Sequence, residues 1–75
     1  MNPPQTWQVD ARTLGEGDVF AALPLEGWRR VVRTRAVTIW GASVLEVLSG
    51  RADGHPGSLC YSWHEFGARV TVPVL

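Results

Sequence analysis

His55, Cys60, His64 and Glu65 are the residues of this chain whose types could hold a metal, and they fall close together in its last third. Zinc takes His, Cys and carboxylate ligands at about 2.0 to 2.3 Å, so its ligands must converge on one point. The spacing here contains no Cys-x-x-Cys pair and no His-Glu-x-x-His segment. On a strand rising about 3.3 Å per residue, Cys60 and His64 stand about 13 Å apart, too far to share an ion. The same separation argues against a thiolate nucleophile, which needs its base within about 3 Å. Ser43, Ser49, Ser58 and Ser62 lie in no nucleophile-elbow sequence. Glu16, Asp18 and Glu65 fall at turn positions, where solvated charge explains them. The glycines of Leu14-Gly15-Glu16-Gly17 are followed by neither a lysine nor a helix, so they form no phosphate loop. The residues therefore predict a chain that is not an enzyme and needs neither metal nor cofactor.

Binding chemistry is better represented. Arg29, Arg33 and Arg35 share one parity of a β-rich segment, and Trp40 follows near its end. Cations beside an exposed indole suit two kinds of partner. Single-stranded nucleic acid is held by basic grooves and stacking aromatics. Protein interfaces concentrate their energy in Trp and Arg. The chain has seven basic and seven acidic residues and a formal net charge of zero, whereas nucleic-acid domains are usually strongly basic. The expectation is a small interaction module that binds a protein partner or a second copy of itself over Arg29, Arg33, Arg35 and Trp40. Binding of nucleic acid by the same surface is the alternative. Trp7, in the N-terminal segment, is either a second contact or a lid on the core.

These residues have to be positioned by short elements. Residues 1–5 read as an extended tail, because Pro3 and Pro4 disfavour helix. Asp10 can cap a helical turn, with Val9 and Leu14 placed as a hydrophobic staple. Gly15 and Gly17 stop it after about one turn. A short strand over residues 19–21 follows, then a loop through Pro24 and Gly27. Residues 28–39 form a long strand in which Val32, Thr34 and Ala36 share one face while Val37 and Ile39 fall on the other. A β-bulge near Ala36 and Val37 would bring both sets inward. Gly41-Ala42-Ser43 is the expected hairpin turn, residues 44–48 the next strand, and residues 49–57 an exposed loop around Asp53-Gly54. Leu59, Tyr61 and Trp63 alternate with Ser58, Cys60 and Ser62, which predicts a strand with its aromatic row inside. Residues 64–67 make a tight connection, and residues 68–74 a last strand ending at an edge or terminus, since Pro73 lacks a ladder donor. The predicted core is Trp28, Val32, Val44, Leu59, Tyr61, Val70 and Val72.

Five short strands with frequent turns predict an all-β domain over residues 6–75, a small antiparallel SH3-like barrel with one helical turn near its N-terminus. At 75 residues there is room for one domain, which buries only about 60% of its unfolded surface. With a single cysteine no internal disulfide can form, so the 45% of hydrophobic residues must supply the core. No stretch approaches the ~18 apolar residues of a membrane-spanning helix. The start lacks a signal-peptide pattern, and the expected location is the cytoplasm. All basic residues are arginine, the mark of a GC-rich genome. The layout Leu14-Gly15-Glu16-Gly17-Asp18-Val19-Phe20, then Gly27-Trp28-Arg29-Arg30-Val31, then Arg69-Val70-Thr71-Val72 resembles short barrel proteins of actinobacteria and their phages over residues 9–74. That resemblance implies a fold and a source, and a phage accessory protein would fit it. It carries over no functional residue.

Overall fold

The computed structural model describes residues 5–23, 25–55 and 57–74, so the expected tail at residues 1–4, like Pro24, Pro56 and Leu75, lies outside them. The described residues form an all-β structure. Its strands are β1 (Thr6–Asp10), β2 (Val19–Phe20), β3 (Arg29–Ile39), β4 (Ala42–Arg51), β5 (Cys60–Glu65) and β6 (Arg69–Pro73), with a 3-10 turn at Ala11–Thr13. β2, β3, β4 and β5 make one antiparallel sheet, curled into a half-barrel, and β1 pairs with β6 in a second. A bridge between Ala21 and Thr71, with backbone bonds of 2.8 and 2.9 Å, joins the two sheets.

β1 corrects the sequence reading, which placed no strand before residue 19. Its register sets Trp7 opposite Val72 and Val9 opposite Val70. The segment is short and carries only two apolar residues, so tertiary pairing rather than local propensity makes it a strand. The expected cap is present. The Asp10 carboxylate accepts the Arg12 backbone N–H at 2.9 Å and that of Gly67 at 3.3 Å, tying the 3-10 turn to the β5–β6 connection. Both staple positions pack as expected: Leu14 is buried in the core and Val9 lies against it.

The β3–β4 hairpin is longer than its sequence suggested. β4 continues through Ser49 and Gly50 to Arg51, where an exposed loop was expected. The turn is Trp40-Gly41, not Gly41-Ala42-Ser43, because Ile39 pairs directly with Ala42. Both turn residues have positive φ, 52° at Trp40 and 80° at Gly41, the requirement of a type I′ turn whose twist matches the strands. The bulge exists but sits at Val32, between the Val31 and Arg33 pairings, not near Ala36 and Val37. An extra residue at that point flips the phase of everything after it. Arg29 and Val31 therefore point into the half-barrel, while Arg33, Arg35, Val37 and Ile39 point out of it.

The core consists of Ala11, Leu14, Phe20, Val31, Leu45, Val47 and Val70, with Val9, Ala22, Leu25 and Val72 packed against it. Of the predicted core, Val70 is buried and Val72 partly so; Val44 is buried too, but outside this cluster. Trp28, Val32, Leu59 and Tyr61 are exposed instead. Val32 is lost to the bulge. Leu59 and Tyr61 are lost because β5 runs in the opposite phase, with Cys60, Ser62 and His64 facing inward.

Candidate functional site

The outward side of β3, β4 and β5 is an ordered grid. Cross-strand register places Arg33, Leu48 and Tyr61 in one row and Arg35, Glu46 and Trp63 in the next. The row after that holds Val37, Val44 and Glu65. Period-two side-chain alternation then puts all nine on the same face. Tyr61 and Trp63 stack with ring centroids 6.2 Å apart and planes 22° from parallel, and both rings are about half exposed. Arg33 donates to the Tyr61 hydroxyl at 2.9 Å. Arg35 meets Glu46 at 3.3 Å, and the Trp63 indole N–H donates to the same carboxylate at 3.1 Å. Leu59 extends the apolar strip beside Gly50, where an added Cβ would come within 3.3 Å of its side chain. The face thus presents two stacked aromatics and an aliphatic edge, held in place by two arginines and one glutamate.

Of the four residues expected to form a surface, the structure brings together two. Arg33 and Arg35 are neighbours on this face. Arg29 is on the opposite side of the sheet and buried, at 7% exposure. Its guanidinium donates to the Ser49 carbonyl at 2.9 Å, the Ser58 carbonyl at 2.7 Å, the Ser49 hydroxyl at 3.3 Å and Cys60 Sγ at 2.9 Å. It stitches β3, β4 and the start of β5 together. Trp40 is fully exposed at the hairpin tip, about 16 Å along β3 from Arg35 at ordinary strand rise. Trp7 is also exposed, on β1, and forms no lid.

Tyr61 and Trp63 are the residues the sequence reading misplaced: it puts Tyr61 in the core and the row they share inside. Their alternation was visible, but its phase was not, because the opposite row of Cys60, Ser62 and His64 also fits inside once its polar atoms are paired. The Ser62 hydroxyl and His64 Nε2 lie 2.9 Å apart, both residues buried, with the His64 ring edge-on to Phe20. Burial holds the His64 imidazole below its ordinary pKa of 6.5 and so keeps it neutral. A Ser–His contact can support nucleophilic catalysis; here both residues are buried, and His64 lines a surface cavity together with Ala22, Trp63 and Arg69. Among the described residues no three His, Cys, Asp or Glu side chains gather as metal ligands, and no helix is long and apolar enough to cross a membrane. The chain matches no protein family, no curated protein and no solved structure.

Proposed function

We propose that this chain is a non-enzymatic interaction module that binds a partner protein through the outward face of β3, β4 and β5. One observation carries the reading: the Glu46 carboxylate simultaneously pairs with Arg35 and accepts the Trp63 N–H. That carboxylate orients an exposed indole and pairs with Arg35 beside it, whose side chain stays 70% exposed. A rigid, partly desolvated aromatic flanked by paired charge is what protein interfaces use as an anchor. A phosphate backbone laid across the same face would meet Glu46 and Glu65 as well as Arg33 and Arg35, which offsets part of its attraction. The scaffold in this reading is a small SH3-like barrel opened along one side, supported by the Ala21–Thr71 bridge between its two sheets.

Fluorescence anisotropy with mixed-sequence single-stranded DNA and RNA at 150 mM salt tests it. No binding up to the micromolar range is the expected result. Micromolar binding that disappears when Arg33 and Arg35 are both replaced by alanine would overturn the reading in favour of nucleic acid.

A further inference from the structure

β3 is the longest of the described strands, and most of it is paired on one side only. β2 pairs only with Arg29 and Arg30, and the Asp18–Val31 and Gly17–Val31 backbone bonds of 2.8 and 2.9 Å carry that edge no further than Val31. Over residues 33–39, β4 alone lies beside β3 among the described residues. Alternate N–H and C=O groups of that stretch therefore point to a side with no strand on it. Such an edge is a template for another strand unless proline, a bulge or an inward charge blocks it. The bulge at Val32 precedes the stretch, and residues 33–39 contain no proline.

The chemistry along this edge is graded. β3 carries Arg29, Arg30, Arg33 and Arg35 and no acidic residue. Arg29 is spent inside the half-barrel and Arg30 donates to the Gly17 carbonyl. Arg33 takes part in none of the ion pairs among the described residues, and the Arg35 side chain is still 70% exposed beside Glu46. Towards the hairpin tip the outward positions become Val37 and Ile39. The edge is cationic at one end and apolar at the other.

We infer that residues 33–39 accept an acidic, extended segment of a partner protein as an additional antiparallel strand on β3. This rests on the outward face being a protein-binding surface, and it names the chemistry of the partner. Cross-strand neighbours on one face interact directly, so carboxylates belong opposite Arg33 and Arg35 and apolar side chains opposite Val37 and Ile39. Read along the partner's own chain, the segment is apolar, any, apolar, any, acidic, any, acidic. Backbone bonds to the edge supply affinity and the alternate side chains supply selection. A second copy of this chain fits worse: β3 offers no carboxylate, and the register centred on Ala36 sets Arg33 against Ile39 and Arg35 against Val37.

The test titrates the isotope-labelled full chain with the capped peptide Val-Thr-Val-Thr-Glu-Thr-Glu, and with a control in which lysine replaces both glutamates. Saturable amide shifts confined to residues 33–39, with slowed hydrogen exchange there, are expected. The lysine peptide should bind at least about tenfold more weakly, as loss of two charge-assisted contacts implies. The double variant Arg33→Glu and Arg35→Glu, its fold checked by its amide spectrum, should reverse that preference. The inference is overturned by no saturable binding, by equal binding of both peptides, or by concentration-dependent self-association through the same amides. Shifts at Tyr61 and Trp63 without any on residues 33–39 would also overturn it, while leaving the outward face itself as a protein-binding surface.

Discussion

At the scale of single residues, Arg29 shows how local chemistry overrides a parity argument. It shares odd numbering with Arg33 and Arg35, yet one bulge residue sends it to the other side of the sheet, where it becomes the main polar tie of the interior. Its guanidinium donates to two backbone carbonyls, and removing a buried hydrogen-bond partner costs about 1 to 3 kcal/mol. Arg29→Met keeps most of the volume and removes the donors. It should lower unfolding free energy by about 2 kcal/mol, a large share of the roughly 4 to 11 kcal/mol expected for a chain of this length. An unchanged urea midpoint would show that water replaces these bonds. His64 makes a second residue-scale prediction. Its pKa is depressed in the folded state by burial, so the unfolded state takes up a proton first as pH falls. Stability is complete above pH 6.5, the ordinary histidine value, and declines as pH drops below it. His64→Gln should remove that decline; a variant whose urea midpoint still falls between pH 7 and 5 as the parent's does would locate the titration elsewhere.

At the scale of elements, much of the strand pattern could be read from the sequence and the phases could not. The last strand, the Asp10 cap and the short strand before residue 21 follow from clean alternation or from an unambiguous turn signal. β1 was invisible because its strand character comes from pairing with β6. The long hairpin was recognisable from its Val and Thr content, but nothing local distinguishes a bulge at Val32 from one at Ala36. β5 failed for a related reason: two rows with similar patterns competed, and the polar one won the interior by pairing its atoms internally. The candidate site inherited both errors. Arg33 and Arg35 were found, Arg29 was placed on the wrong side, and Tyr61 and Trp63 were missed. The turn offers a test at this scale. A bulky L-residue at φ 52° bears the steric cost that asparagine largely escapes. Trp40 is fully exposed, so little packing is lost on replacing it. Trp40→Asn should stabilise the chain by about 0.5 to 1 kcal/mol. A lower melting temperature would mean that the indole is held against the hairpin.

At the scale of the molecule, the two sides of the curled sheet divide the work. The inward side stores the apolar core and the paired polar atoms of Arg29, Ser49, Ser62 and His64. The outward side carries the stacked Tyr61 and Trp63 beside an open strand edge. A domain this small has little core to spare, and leaving two large aromatics outside gives up burial that would have stabilised it. A partner that covers the face recovers that burial. Capture from a nuclease-treated lysate of the source organism tests this most directly, with the parent chain and its Tyr61→Ala and Trp63→Ala double variant as parallel baits. Both positions are about half exposed, so the variant should keep the fold, with amide shifts confined to the neighbours of the two lost rings. The account predicts a protein retained by the parent after nuclease treatment and lost from the double variant. Equal retention of the same protein by both baits would contradict it.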